Sequence, residues 1–198
     1  TGRARCSPVA DAPRLVSPRE FFDGVARRYD RDYALSGRLS RERLARVVER
    51  IAGRTRVLVL GLGTGRELPA LLDAGHEVVG LDVSERMLVE HAKRARTVPV
   101  VLGDIFARLP FGDGDFDAVL ALHGTLAHPP PPVEEALAGL AGEVARVLRP
   151  GGFFVAEVPA AEALAQLAAT GQGMKVEGPT SFVHEDAAAG LAIAGVAL

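Results

Sequence analysis

The chain has 198 residues, of which 48% are hydrophobic and 24% are charged, and its formal net charge is −2. A chain of this length and composition is expected to fold as one globular domain with a sizeable core. Because Cys6 is its only cysteine, an intramolecular disulfide and a cysteine-based zinc site are excluded, which fits a reducing, cytoplasmic setting.

Hydropathy and charge argue against a membrane span and against nucleic acid as a partner. The apolar runs are interrupted before the roughly 18 residues that a spanning helix needs, and no signal peptide is visible. Arginines are concentrated in residues 1–56, but acidic residues are interspersed among them, which is typical of solvated helix faces. The chain starts at Thr1 without a methionine and stops within an apolar run, so we expect sequence to be missing at both ends.

Two helices are predicted ahead of the first strand. Residues 1–16 show no periodicity and are expected to form a flexible tail. The segment 17–20 reads Ser-Pro-Arg-Glu, a capping box with proline at the first helical position, and it predicts a helix over about 17–29. Apolar residues at helical spacing predict a second helix over about 38–52.

Short apolar runs then alternate with helical segments. The predicted strands cover residues 57–60, 77–81, 98–102, 116–122 and 153–158, and the predicted helices cover 67–74, 84–95 and 133–148. This alternation predicts a doubly wound, Rossmann-like α/β fold with a mostly parallel sheet and helices on both faces. Pro99 indicates that the third strand lies at an edge or starts unpaired.

The pattern weakens after the fifth strand. Residues 160–169 are predicted to form a helix, 170–179 a glycine-rich loop, and 185–194 another helix that leads into the apolar run 196–198. If that last run opens a strand, the sheet is incomplete, and the domain over 17–198 is expected to lack its C-terminal end.

A glycine-rich loop, Gly61-Leu62-Gly63-Thr64-Gly65, follows the first predicted strand and opens a helix. Open α/β sheets bind ligands at this position. A dinucleotide-binding loop has the pattern G-x-G-x-x-G, but here the third glycine comes one residue early and Arg66 stands in its place. The loop is expected to let a ligand approach its backbone without the usual arrangement for pyrophosphate; the alternative is a plain tight turn.

Two carboxylates follow neighbouring strands at the same edge of the predicted sheet. Asp82 ends the second strand 21 residues after Gly61, where a carboxylate can accept both hydroxyls of a ribose. Asp104 follows the third strand and can accept a hydrogen bond from an amino group. Two such carboxylates beside a glycine loop suit an adenosine without phosphates, although Asp82 alone could be a turn residue.

Five motifs occur in order along the chain. They are VLVLGLGTG at 57–65, VGLDVSERML at 79–88, GD at 103–104, FDAV at 116–119 and LRPGG at 148–152. Together they resemble the class I S-adenosylmethionine-dependent methyltransferases, and residues 22–30 are further similar to the small-molecule branch that includes the ubiquinone/menaquinone-biosynthesis enzymes. The resemblance implies methyl transfer from S-adenosyl-L-methionine to a small molecule.

The resemblance also implies roles for individual residues. The loop glycines would let the methionine part of the cofactor lie against the backbone, and Asp82 would hold the ribose. Met87 would pack on the adenine, although a methionine at helical spacing equally fits a core position, and residues 17–53 would supply lid helices. The implied cofactor-binding residues are Tyr29, Gly61, Leu62, Gly63, Thr64, Gly65, Asp82, Val83, Met87, Asp104, Ile105, Leu122 and His123.

Methyl transfer from a sulfonium depends on positioning and desolvation more than on a dedicated nucleophile. A hydroxyl acceptor usually needs a general base, and His123 is the first candidate with His128 second, because both flank the loop after the fourth strand. Each could equally be a plain loop histidine. No His, Asp or Glu cluster stands at ligand spacing, so no metal is expected.

Two other functions remain open. One is a non-catalytic adenosine-ligand-binding or scaffold protein on the same fold, since fold does not determine function. The other, less favoured, is an NAD-dependent oxidoreductase, against which Arg66 and the LRPGG segment argue.

Overall fold

A parallel sheet lies at the centre of the computed structural model, which describes residues 13–33, 37–158, 160, 169, 174–176 and 181–197. The strands in these ranges are β1 (Arg14–Leu15), β2 (Arg56–Leu60), β3 (Glu77–Asp82), β4 (Val100–Leu102), β5 (Phe116–Ala121), β6 (Leu148–Ala156), β7 (Met174–Val176), β8 (Ser181–Asp186) and β9 (Leu191–Val196). The helices are α1 (Pro18–Val25), α2 (Tyr29–Asp32), α3 (Gly37–Arg50), α4 (Leu68–Asp73), α5 (Glu85–Ala92) and α6 (Val133–Val147), with 3₁₀ turns at Ala26–Arg28 and Thr125–Ala127.

The strand order of the central sheet is β4-β3-β2-β5-β6, and all of its pairs are parallel. The chain winds outward from β2 to β4 and then from β5 to β6, so the order reverses between β2 and β5. This arrangement confirms the predicted doubly wound, Rossmann-like α/β fold. β4 lies at an edge directly after Pro99, as predicted.

Helices cover both faces of this sheet. Val47 of α3 and Ile51 just after it pack with α4 against one face, and Val144 and Val147 of α6 pack against the other. The four residues 57–60 of β2 are buried because the strand is covered on both faces. Leu44, Val47 and Val48 of α3 thus belong to the core of the sheet, and the assignment of residues 17–53 to lid helices stays a prediction.

The N-terminal segment forms two short helices instead of the single predicted one. Ser17 caps α1 as predicted, with its hydroxyl accepting a hydrogen bond from the Glu20 N–H at 3.3 Å. A 3₁₀ turn then separates α1 from α2. Gly24 lies where any Cβ would overlap the side chain of Leu191, so α1 packs closely against β9.

A second sheet, with order β1-β9-β8-β7 in the described ranges, contradicts the prediction for the C-terminal segment. The predicted helix over 185–194 is wrong, because these residues end β8, turn at Gly190 and form β9. Their alanine-rich sequence favours a helix locally, but β9 is held by an antiparallel ladder with β8 and a parallel one with β1. Tertiary pairing overrides the local propensity here.

The second sheet also corrects two loop predictions. Residues 14–15, predicted to lie in a flexible tail, form β1, and residues 174–176, predicted to lie in a loop, form β7. The rest of the tail and nearly all of the predicted helix over 160–169 lie outside the described residues. Within the described ranges, no helix combines the length and hydropathy needed to cross a membrane.

Asp186 joins the N-terminal segment to the second sheet. Its buried carboxylate accepts hydrogen bonds from Arg28 and from the Tyr33 hydroxyl, the latter at 2.6 Å. Burial opposes ionisation, but these hydrogen bonds outweigh it and lower the pKa of Asp186. The ionised carboxylate therefore stabilises the fold above its unfolded pKa, and this contribution is lost as the pH falls through the lowered value.

We expect Asp186→Asn to lower the free energy of unfolding at pH 7 by about 1–3 kcal/mol, because the partly buried Arg28 loses one of its two carboxylate partners and keeps only Asp32. Urea unfolding measures the change. Asp113→Asn is the control, since Asp113 also pairs with an arginine but is 81% exposed, and its loss should be within about 0.5 kcal/mol. Equal losses in the two variants would contradict the role of Asp186.

Candidate active site

A cavity of about 850 Å³ lies at the carboxyl ends of β2, β3, β4 and β5. It occupies the switch point of the sheet, where open α/β folds bind ligands, and its volume is within the range of small-molecule sites. The predicted site residues that line it are Tyr29, Gly61, Leu62, Gly63, Thr64, Asp82, Val83, Met87, Asp104, Ile105, Leu122, His123 and His128. Gly65 is the predicted residue that does not line it.

The three glycines of the loop after β2 have positive φ angles but different surroundings. A Cβ on Gly63, at φ +57°, would meet no atom within 4 Å, so this glycine faces open space in the cavity. A Cβ on Gly61 would overlap Thr125, and one on Gly65 would overlap Leu68 and His91. Gly63 therefore gives a ligand access to the backbone, whereas Gly65 allows close packing behind the loop.

Asp82 at the end of β3 is tied to the glycine loop. Its Oδ2 accepts a hydrogen bond from the Gly63 N–H at 2.7 Å, and its Oδ1 accepts one from the Ser84 N–H at 2.8 Å. Burial raises the pKa of Asp82, and these backbone hydrogen bonds oppose that rise. The Val83 N–H also donates to this carboxylate, and its two oxygens still have the capacity to accept a hydrogen bond from a ligand hydroxyl.

The ends of β3 and β4 form a slot beside Asp82. Ile105 is buried, and the Oδ1 of Asp104 accepts a hydrogen bond from the Phe106 N–H at 2.9 Å. Met87 at the start of α5 is 1% exposed and packs with Phe21 and other buried residues, yet it also lines the cavity. Met87 is thus a core residue that also faces the cavity, and its packing on an adenine stays a prediction.

Arg66, used above only to exclude a dinucleotide loop, holds the N-terminal segment against the site. Its guanidinium lies 4.4 Å from the ring centroid of Tyr29, and its Nη1 donates to the Tyr33 carbonyl at 2.8 Å. Tyr29 also stacks on Tyr33, with ring centroids 5.1 Å apart. Burial raises the pKa of Tyr29. These contacts make Tyr29 a fixed wall of the cavity.

His123 leaves β5 in a left-handed conformation, with φ 57°. Its backbone N–H donates to Oε2 of Glu157 at 2.9 Å, and that carboxylate is also paired with Arg43 of α3. Non-glycine residues in this conformation are strained and are concentrated at functional sites. Its imidazole Nε2 lies 3.9 Å from the Glu67 carboxylate, and burial lowers the pKa of the ring.

His128 lies in a different part of the cavity, beside the rings of Phe22 and Phe182. Its Nδ1 is 2.7 Å from the carbonyl oxygen of Ala194 in β9. Because a carbonyl can only accept, Nδ1 carries the hydrogen and Nε2 is left with a free lone pair. Burial lowers the pKa of His128, which keeps the ring neutral at neutral pH. The geometry therefore gives His128 the tautomer that a general base needs.

The wall around His128 is apolar and was missed by the sequence analysis. Three parts of the chain supply it: the N-terminal segment, the proline run after the second 3₁₀ turn, and β9. The residues are Leu15, Val16, Phe22, Pro129, Pro130, Pro131 and Ile193. The proline run was visible in the sequence, but Ile193 lay in a segment predicted to be helical. Only the pairing of β9 with β1 brings it to the cavity.

Glu67 was also missed, because in the sequence it marks only a helix start. It is 2% exposed and lines the cavity. Burial is the main cause that raises its pKa to about 7.

Among the described residues, no group of three or more His, Cys, Asp or Glu side chains could hold a metal ion.

Comparison with known proteins identifies the family. Residues 58–156, half of the chain, match the family described as a methyltransferase domain. This chain belongs to the methyltransferase-domain family. The match covers the glycine loop, both carboxylates and the segment through β6, and it confirms the resemblance seen in the motifs.

Relatives of known name support this assignment. A demethylmenaquinone methyltransferase from Beutenbergia cavernae is 41% identical over 139 residues, which are 68% of this chain and 55% of that protein. The chain thus spans about half the length of the curated relatives that it matches. The structure of the CcbJ methyltransferase from Streptomyces caelestis has a TM-score of 0.60 at 26% identity, over 85% of this chain and 70% of that one. An amino pentose methyltransferase from Micromonospora echinaspora, solved with bound SAM, has a TM-score of 0.52 at 26% identity, over 67% of this chain and 55% of that one.

Proposed function

We propose that this protein transfers a methyl group from S-adenosyl-L-methionine to a small molecule with an apolar body and an acidic hydroxyl or ring carbon. One observation carries the proposal: a single continuous cavity joins the glycine loop and the two carboxylates to an apolar wall that contains His128. The first half suits an adenosine with an amino-acid tail, and the second suits an apolar acceptor. A cytoplasmic location is part of the proposal and rests on the single cysteine.

The polar residues at the strand ends follow one another in the same order as the parts of this cofactor. Asp104 and Ile105 follow β4 and would hold the adenine, whereas Asp82 at the end of β3 would hold the ribose. The open space at Gly63, which a Cβ would fill, would take the chain that continues from the ribose. When bound, the sulfonium supplies a methyl carbon that is already activated for in-line displacement.

The chain's own residues supply positioning and proton transfer. Tyr29 and the glycine loop exclude water from one side of the cavity, and the apolar wall excludes it from the other. The Nε2 atom of His128 can take a proton from an acceptor held against Phe22 and the proline run. The sequence ranks His123 first, but His123 lies at the opposite, polar end beside Glu67.

Calorimetric titration tests the cofactor assignment. We expect S-adenosylmethionine and its demethylated product to bind, and NADH not to bind. Binding at a concentration of 100 times Kd should add about 2.7 kcal/mol to the stability of the fold. Binding of NADH alone would favour the oxidoreductase, and release of no demethylated product with quinols, phenols, amines or thiols would favour the non-catalytic alternative.

We expect Asp82→Asn to lower cofactor affinity at least tenfold, because hydrogen bonds to a charged acceptor contribute about 1.5–3 kcal/mol each. Asparagine preserves the shape of the side chain and one acceptor oxygen for the backbone N–H groups. Titration measures the affinity, and circular dichroism checks the fold. Asp73→Asn is the control, because Asp73 is 69% exposed and pairs with Arg96 away from the cavity. Equal affinities in wild type and Asp82→Asn would place the ribose elsewhere.

A further inference from the structure

Glu67 has a buried carboxylate that the proposed mechanism does not use. It stands two residues after the last glycine of the loop, is 2% exposed and lines the cavity. Among the described residues, its own backbone N–H is the hydrogen-bond donor near the carboxylate. The imidazole Nε2 of His123, at 3.9 Å, is too distant for a hydrogen bond. A carboxylate buried in this way lacks the partners that usually compensate for its lost hydration.

The two arginines near Glu67 form ion pairs with a different carboxylate, that of Asp30. Arg66 and Arg94 both lie close enough to influence its charge, but each pairs with Asp30. Arg66 additionally donates to a backbone carbonyl and covers the ring of Tyr29. Glu67 therefore faces the cavity as an acceptor whose neighbouring cations are already bonded elsewhere.

The position of Glu67 along the strand ends indicates which part of a ligand it meets. The order β4, β3, β2, β5 places Asp104, then Asp82, then the glycine loop, then His123 along one line. Glu67 lies between the loop and His123. A ligand with its adenine at β4 and its ribose at β3 brings its amino-acid tail to β2 and β5.

Building on the proposed function, we infer that the Glu67 carboxylate binds the α-ammonium group of the cofactor's amino-acid part. An ammonium group offers three donors and a positive charge, which are what this buried acceptor lacks. The neighbouring aromatic and carboxylate groups, Tyr29 and Asp82, provide no donor to Glu67 in the structure. The assignment makes Glu67 a residue that selects cofactors carrying an amine.

If Glu67 binds the ammonium group, binding of the cofactor should release protons, and this release can be measured. The groups that face Glu67 are Arg66, Arg94, Asp82, Tyr29 and His123, and burial dominates over all of them in raising its pKa to about 7. Near pH 7 the carboxyl is thus partly protonated without ligand. An ammonium group favours the ionised form, so binding should lower the pKa and release protons. At pH 7 the calorimetric enthalpy should then depend on the ionisation enthalpy of the buffer.

The decisive experiment compares three ligands on Glu67→Gln, which keeps the shape of the side chain and removes its charge. The ligands are S-adenosylhomocysteine, its analogue without the amino group, and methylthioadenosine, which lacks the whole amino-acid part. We expect Glu67→Gln to weaken S-adenosylhomocysteine about ten- to hundredfold, to leave the other two within about twofold, and to abolish the buffer dependence. Glu77→Gln, an exposed site at the far end of β3, is the control.

Three outcomes are distinguishable. Unchanged binding of S-adenosylhomocysteine to Glu67→Gln overturns the inference while leaving the proposed function intact. Equal weakening of all three ligands also overturns it, because Glu67 would then act on the adenosine part or on the fold. If wild-type protein binds none of the three ligands, the proposed function itself fails and the inference fails with it.

Discussion

Replacing His128 with asparagine is expected to lower turnover of a hydroxylated acceptor by about 10²–10⁴-fold, the usual contribution of a general base. Asparagine offers an amide N–H near the position of Nδ1 and so keeps the hydrogen bond to the Ala194 carbonyl, but it has no basic nitrogen. Cofactor affinity should change little, because His128 lies at the apolar end of the cavity. Steady-state kinetics and titration separate the two effects.

The pH dependence of the rate tests the same assignment. Burial lowers the pKa of His128 below the usual 6.5, and a protonated ring cannot accept a proton. The rate should therefore fall as the pH drops through that lowered value, so the acidic limb of kcat/KM lies below pH 6.5 and disappears in His128→Asn. The same loss in His123→Ala, with His128→Asn near normal, would make His123 the base, as the sequence ranks them. Near-normal turnover in both variants would mean that positioning alone suffices.

Replacing Gly63 with valine is expected to abolish cofactor binding. A Cβ at this position points into open space of the cavity, so the branched side chain would occupy the ligand's volume. The residue also sits at φ +57°, which β-branched residues strongly disfavour. Calorimetric titration with S-adenosylhomocysteine measures the loss, and circular dichroism verifies that the variant is folded.

Gly75→Val is the control that separates blocked ligand volume from backbone strain as the cause of lost binding. Gly75 has φ +85° and no atom within 4 Å of an added Cβ, but it follows α4 and does not line the cavity. It therefore shares the backbone strain of Gly63→Val without the blocked volume. We expect Gly75→Val to lose stability and to retain binding. A folded Gly63→Val variant that binds normally would show that the loop is only a turn.

The central sheet and the glycine loop and carboxylates at its strand ends could be predicted because their signals are local. A buried parallel strand is a continuous apolar run, and residues 57–60 read that way without reference to the rest of the chain. The glycine loop and the carboxylates come directly after strands, and strand ends in such a fold meet at one edge. The sequence therefore places Asp82 and Gly63 at the same edge, where a hydrogen bond of 2.7 Å joins them in the structure.

The apolar half of the cavity depended on contacts between distant residues, which a local pattern does not contain. Residues 185–194 have the composition of a helix, and only their ladders with β1 and β8 make them strands. That pairing also brings Ile193 to the cavity and places the Ala194 carbonyl on His128, which fixes its tautomer. Glu67 looks like an ordinary first-turn acid, and only packing buries it. The sequence by itself therefore determined the central sheet and the position of the glycine loop and carboxylates at its strand ends. The tertiary structure decided the second sheet, the burial of Glu67 and the tautomer of His128, because burial and strand pairing are properties of the whole fold.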